Sequence, residues 1–295
     1  MNTTVTAASI LHSLSQDVHG CSNIFLDLGA NIGVHSRFLF EPRKYPNSKF
    51  KVLFDRAFGK ERKNPRTCAI GFEPNPVHTA RHRALQAAYA SMGWRYYFFP
   101  AGVGAQNGIL SFYLNSDNAN HEYWGFSTTK MRNRLDGKPE LKQQEIKVPT
   151  VDLHAVLRTI QQRSMVRSAG RPAIIFIKMD IEGSEFEVLL HLMMQGTLCT
   201  TVDYLFTEFH AGFANFHPHT LRSSSNHTLT PEEANTLAST LEGVIADGSR
   251  RGCTVKWVAP KGEHEEYLHD GKPFPDPSCC KTTCPHAPGR CPRTP

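Results

Sequence analysis

The chain holds 295 residues, 40% of them hydrophobic, enough to bury a core as one large domain or one domain with appendages. Its formal net charge of +6 is a modest excess whose distribution says more than its size, and no window reaches the roughly 18 consecutive apolar residues of a membrane span. The opening stretch MNTTVTAASILHSLSQDVHG has neither a basic start nor a continuous apolar run, so a secretory signal is not expected and the cytoplasm is the default compartment.

Residues 1–21 read as a helical extension. From about residue 22, short apolar runs alternate with helical stretches, the pattern of an α/β domain with a mostly parallel sheet and helices on both faces. NIFLDLG (23–29) is a first strand and NIGVHSRFLFE (31–41) a first helix. A basic insertion over 42–66 sets Arg43, Lys44, Lys49, Lys51, Arg56, Lys60, Arg62, Lys63 and Arg66 against Asp55 and Glu61; it reads as a surface loop able to meet an anionic partner, though nucleic acid is not an expected one. CAIGFE (68–73) is the second strand, the alanine-rich stretch up to Gly93 a helix, and RYYFFPAGV (95–103) the third strand. GILSFYL and EIKVPT are shorter strand candidates, and Leu153, Val156, Leu157 and Ile160 form one helical stripe.

AIIFIKMD (173–180) is continuously apolar until its end, as a strand covered on both faces should be. A helix carrying Phe186, Leu189, Leu190 and Met193 on one face follows, then VDYLFTEFH (202–210) as the fifth strand. A loop insertion covers 211–229, Pro231 opens a helix running to about 248, and CTVKWVAP (253–260) is a late strand closing a domain that spans 22–270. Beyond it, the prolines of 271–295 are incompatible with compact helix or strand, and this Pro/Cys-rich stretch reads as a tail without regular structure. Cys21, Cys68, Cys199 and Cys253 are scattered, whereas Cys279, Cys280, Cys284 and Cys291 crowd the tail, where they could form disulfides in an oxidising, secretory compartment or hold zinc with His286. NTT at Asn2 and NHT at Asn226 match the glycosylation acceptor.

Three stretches carry chemistry. In DLGANIG, Gly29 and Gly33 let the backbone approach a ligand where a Cβ would collide, but Asn31 replaces the middle glycine of the dinucleotide fingerprint and Asp27 is an acid at the strand end. A pyrophosphate gains nothing from that carboxylate, whereas a cationic ligand or an amino group does. In GFEPNP, Glu73 ends the second strand, where an acid accepts hydrogen bonds from ribose hydroxyls. The third stretch is FIKMDIEGSEFEVLL with its neighbour TEFH. Residues two apart on a strand share a side, so Asp180 pairs with Glu182 and Glu208 with His210, both at carboxyl ends, where open α/β sheets bind ligands. His210 has the best unperturbed pKa for a general base, with Asp180 or Glu208 orienting it or a substrate hydroxyl, and His35 is a second candidate. Asp180, Glu182 and Glu208 are alternatively oxygen ligands for Mg²⁺. Glu185 and Glu187 fall in the first turn of the next helix, where the dipole favours acids, and Lys178 reads as the partner of one of these acids.

Together FLDLGANIGVHS, GFEPNP, VPTVDL and IKMDIEGSEFEVL resemble the successive motifs of FkbM-type methyltransferases, over residues 24 to 210. The resemblance implies a class I methyltransferase fold, a Rossmann-like sheet whose last strand is antiparallel. It also implies S-adenosylmethionine as cofactor and O-methylation of a hydroxyl on a sugar, glycan or small natural product. By the same resemblance Asp27, Gly29, Asn31 and Gly33 surround the methionine part of the cofactor and Glu73 its ribose. The basic insertion, the 211–229 loop and the tail depart from the family's pattern and leave the acceptor open. Two other readings stay in view. One is a nicotinamide-dependent oxidoreductase, disfavoured by Asn31 and Asp27, and the other a non-catalytic methyltransferase-like binding module anchored by its basic loop.

Overall fold

The computed structural model describes residues 5–115, 123, 125–129, 143–164, 172–211, 214–216, 227–248, 252–258 and 270–276. Helix α1 (Ala7–Asp17) begins at a reciprocal capping box between Thr6 and Ser9 and buries Ile10 and Leu14. The chain then runs through β1 (Asn23–Leu28), α2 (Val34–Phe40), α3 (Lys49–Phe58), β2 (Thr67–Phe72), α4 (Thr79–Ser91) and β3 (Arg95–Phe99). A second, three-stranded sheet follows, built from β4 (Gly102–Gly104), β5 (Gly108–Asn115) and β6 (Gln143–Asp152) in the order β4-β6-β5. Next come α5 (Leu153–Arg163), β7 (Ile174–Met179), α6 (Glu185–Met194), α7 (Thr197–Thr201) and β8 (Tyr204–Thr207). A short antiparallel ladder of β9 (Asn215–Phe216) with β10 (His227–Thr228), helix α8 (Pro231–Gly248) and β11 (Lys256–Val258) complete it.

The main sheet has six strands in the order β11-β8-β7-β1-β2-β3, all paired in parallel. This is the Rossmann-like α/β arrangement with helices on both faces. The antiparallel last strand implied by the family resemblance is not among the described residues, where β11 pairs in parallel with β8. Strand alternation divides β1 between two cores: Ile24, Leu26 and Leu28 face one that includes α1, α5, α6 and α8, and Phe25 faces an aromatic one against α2, α3 and α4. Strand order puts β1 at the centre, and its register sets Asp27 beside Gly71 of β2 and Lys178 of β7.

The basic insertion is not a plain surface loop, because it contains α3. Phe50 and Phe54 are buried four residues apart, with the Phe54 ring 4.9 Å from Phe25 and 5.4 Å from Phe176, and the Phe50 ring 4.7 Å from Phe206. A helical stripe of phenylalanines was hidden among the charges. Arg62 is likewise buried, pairing with Asp55 and donating to the Leu39 carbonyl. The single strand read over 95–103 is two strands separated at Pro100, which has no N–H to continue the ladder; β4 turns away into the second sheet.

The scattered cysteines are paired, Cys21 with Cys68 and Cys199 with Cys253. The first pair fastens the segment after α1 to β2, and the second fastens α7 to the segment before β11. Asn2, Asn226, His286 and the four tail cysteines lie outside the described residues. On the loop-entropy account, the 47-residue separation of Cys21 and Cys68 stabilises the fold by about 4 kcal/mol. Replacing both by serine is expected to lower the urea-unfolding free energy by that order, and unfolding the native chain with reductant, which also opens Cys199–Cys253, should lower it further. No helix among the described residues is long and apolar enough to cross a membrane.

Candidate active site

The carboxyl ends of β1, β2 and β7 open into a cleft of about 640 Å³, measured open to solvent. Gly29, Asn31, Glu73 and Asn75 line it with Asp180, Glu182 and Ser184, and Phe72, Val103, Phe112 and Phe126 add apolar wall. Gly29 stands at φ +71°, and a Cβ there would lie 1.8 Å from the Asp180 carbonyl oxygen, so the turns after β1 and β7 meet backbone to backbone. Asn31 is left-handed at φ 46° without being glycine, a conformation that persists where the surroundings over-determine it. Its N–H donates to Glu73 Oε2 at 2.7 Å, and its carbonyl faces His82 Nε2 at 2.7 Å. Because that carbonyl can only accept, Nε2 carries the proton. Nδ1 then accepts from the Tyr96 hydroxyl at 2.6 Å, and burial, which drives the His82 pKa down to about 3, keeps the ring neutral for this role. Gly71 makes room for the arrangement, since a Cβ there would meet the Tyr96 hydroxyl at 2.6 Å.

Glu73 accepts one backbone N–H on each oxygen, from Asn31 and Asn75, which leaves lone pairs for further donors. Burial nevertheless pushes its pKa up to about 8, overriding those two hydrogen bonds. Asp27 is 0% exposed and, with Gly33, is outside the residues lining the cleft. Neither of its oxygens has a hydrogen-bond partner among the described residues; Lys178 Nζ and His35 Nδ1 each stand 3.8 Å away. Burial raises its pKa to about 7, opposed by Lys178 and reinforced by Asp180. His35 itself packs against Phe38 and Phe50 and does not line the cleft.

Lys178 is more than the partner of one acid. Its buried ammonium donates to the Gly29 carbonyl at 2.8 Å and to Asp180 Oδ2 at 3.0 Å, tying the ends of β1 and β7 together. Burial would lower its pKa, but Asp180 and Asp27 outweigh that and raise it. The turn after β7 carries Glu182 at φ 54°, again left-handed without glycine. Glu185 is 0% exposed: its carboxylate accepts the N–H groups of Ile181 at 2.8 Å and Gly183 at 2.9 Å, and His210 Nδ1 at 3.1 Å. It is a buried strut for the turn and for His210, a role hidden behind the helix-dipole reading because both follow from an acid in the first turn. Glu187 is buried as well.

His210 Nε2 looks into carboxylates, at 3.7 Å from Asp180 and 3.8 Å from both Glu182 and Glu208. Burial works to lower its pKa, but Glu185 first, then Glu182 and Asp180, hold it well above the ordinary histidine value. The ring is therefore an imidazolium at neutral pH and not the free base its unperturbed pKa indicates. Burial raises Glu182 to about 7 and raises Glu208 too. The metal set differs from expectation. Ligand atoms of Asp180, Glu182 and His210 lie within 4.8 Å of one another, so an imidazole nitrogen stands where Glu208 was expected, and Mg²⁺, which takes oxygen ligands, does not fit that set.

Comparison with curated protein sequences finds no match. The crystal structure of methyltransferase FkbM from Methylobacillus flagellatus KT aligns at 15% identity with a TM-score of 0.28, covering 60% of this chain and 30% of that one. The family profile described as the Methyltransferase FkbM domain matches residues 27–230, which contain every strand-end residue described above, and the chain belongs to the FkbM methyltransferase family.

Proposed function

We propose that the chain transfers a methyl group from S-adenosylmethionine to a hydroxyl of a small-molecule or glycan acceptor, such as a sugar or small natural product. The observation that carries this reading is that Gly29, Asn31 and Glu73 share one cleft with Asp180 and Glu182. Glu73 suits ribose hydroxyls, the phenylalanines suit an adenine ring, and the surplus of carboxylates suits a cofactor bearing a sulfonium and an ammonium. When bound, that cofactor supplies an electrophilic methyl. The chain supplies alignment of the acceptor and removal of its proton.

Asp180 is the group we assign to the acceptor hydroxyl, because it lines the cleft between two cations, Lys178 at 3.0 Å and His210 at 3.7 Å. His210, oriented by Glu185, keeps negative charge on Asp180 and Glu208 electrostatically supported. Asp180→Asn is expected to bind S-adenosylhomocysteine within a few-fold of the native affinity while kcat falls by about 10²–10⁴. Calorimetry with S-adenosylhomocysteine and with NAD, followed by a labelled methyl-transfer screen on glycans and small alcohols, tests the whole reading. A folded chain that ignores S-adenosylhomocysteine overturns it, NAD binding reopens the oxidoreductase, and cofactor binding without transfer to any acceptor favours the binding module. The two disulfides support an oxidising compartment over the cytoplasmic default. Alkylation of unreduced chain taken from its cells, leaving these four cysteines unlabelled, is the expected result.

A further inference from the structure

The left-handed Asn31 is held by Glu73 and His82, and the next carbonyl has its own holder. Arg81, beside His82 on α4, donates through Nε to the Ile32 carbonyl at 2.9 Å. Its other end is set by a residue 189 positions away in sequence: Arg81 Nη2 reaches Asp270 Oδ2 at 2.7 Å. The Asp270 side chain is 1% exposed and also receives Arg37 Nη1 at 2.6 Å and the Tyr45 hydroxyl at 2.8 Å. Arg37, itself buried, donates to the carbonyls of Lys272 at 2.7 Å and Pro273 at 2.8 Å. Phe274 places its ring against both guanidiniums, 5.2 Å from Arg37 and 5.1 Å from Arg81. These residues form no helix or strand, yet they are anchored through every polar group just named.

We propose that Asp270 to Phe274 clamp the cofactor loop: Asp270 fixes the Arg81 guanidinium, Arg81 fixes the Ile32 carbonyl, and the strained Asn31 next to it is thereby kept in its binding conformation. Asp270 and Arg81 are positioning residues that act on the loop without lining the cleft. The clamp's effect on cofactor affinity rests on the S-adenosylmethionine reading; its effect on the loop does not. Arg81 is the better probe because its side chain is 29% exposed and its replacement leaves the Arg37–Asp270 pair in place.

In the full chain, Arg81→Gln and Asp270→Asn are each expected to weaken S-adenosylhomocysteine binding about tenfold, the scale of one lost charge-assisted hydrogen bond, and to raise the KM for S-adenosylmethionine with kcat little changed. Both should also speed amide hydrogen exchange at residues 30–33 without cofactor present. Arg158→Gln, the same change at an exposed arginine of α5 that bonds Gln161, is expected to change none of these. If Asp270→Asn does not fold, Arg81→Gln alone decides. Native exchange at 30–33 in Arg81→Gln overturns the clamp, whether or not the cofactor binds; faster exchange in a chain whose native form ignores S-adenosylhomocysteine upholds the clamp and overturns only the cofactor reading.

Discussion

Gly29→Ala is expected to remove S-adenosylhomocysteine binding and to destabilise the fold by on the order of 3 kcal/mol. Two costs act together. The backbone sits at φ +71°, where any Cβ is strained, and the added methyl would lie 1.8 Å from the carbonyl oxygen and 2.9 Å from the carbonyl carbon of Asp180. Both obstacles are main chain, so no side chain can swing aside, and either the loop after β1 or the turn after β7 must move. Each movement separates Gly29 and Asn31 from Asp180 and Glu182, which share the cleft, and breaks the Lys178 bond to the Gly29 carbonyl. Gly93→Ala is the control, since Gly93 has φ +72° but nothing within 4 Å of an added Cβ. It should cost about 1 kcal/mol and leave binding intact. Urea midpoints at constant m-value with parallel calorimetry separate the two, and equal behaviour of the variants would sink the claim that the turns meet at Gly29.

The sheet and most of its helices were legible because buried parallel strands read as continuous apolar runs and the helices between them carry one apolar stripe. α3 was not, because its charged residues belong to a basic run that reads as surface, while Phe50 and Phe54 among them carry the packing. The strand-end acids were found by the rule that α/β sheets bind at carboxyl ends, which needs only element boundaries. What that rule could not show was which acids face the cleft and which hold the others. Asp27 and Glu73 both end strands, yet Glu73 lines the cleft and Asp27 is sealed beside Lys178. Glu185 and Asp180 are five residues apart, yet Glu185 spends its carboxylate on the turn amides and His210. His82, Arg81 and Asp270 gave no local signal at all, because their roles consist of contacts with a loop distant in sequence. The pKa of His210 is likewise a property of three carboxylates, Asp180, Glu182 and Glu185, brought to it from β7's end, the turn after it and α6, and no single-residue value anticipates it.

Lys178→Met is expected to cost about 3–5 kcal/mol above neutral pH, the penalty of stranding buried acids by removing their cation. The substitution roughly preserves volume, so the loss is electrostatic, and its pH dependence identifies it. Asp27 already has its pKa raised from 3.8 to about 7 by burial, with Lys178 as the cation opposing that rise. Without Lys178 the folded pKa of Asp27 climbs further. An acid with a higher pKa folded than unfolded binds more protons in the folded state, so stability falls as pH rises between the two values. The native protein shares that fall up to its own folded value, so the deficit of the variant should be flat below about pH 7, where Asp27 is protonated in both folded proteins, and grow above it. His210 has the same sign: its raised folded pKa gives stability that is complete below the unfolded value and lost as pH rises through the folded one. Its neighbours Glu185, Glu182, Asp180 and Glu208 remain in the variant, so that contribution largely cancels in the difference. Urea unfolding of both proteins from pH 4.5 to 8.5 measures this directly. A deficit that stays constant with pH, or one below about 1 kcal/mol, would show that Lys178 acts by packing rather than by charge. At pH 6, where the variant should still be folded, kcat is expected to fall more than S-adenosylhomocysteine affinity, because the same ammonium that faces Asp27 also holds Asp180, the group proposed to meet the acceptor, at 3.0 Å.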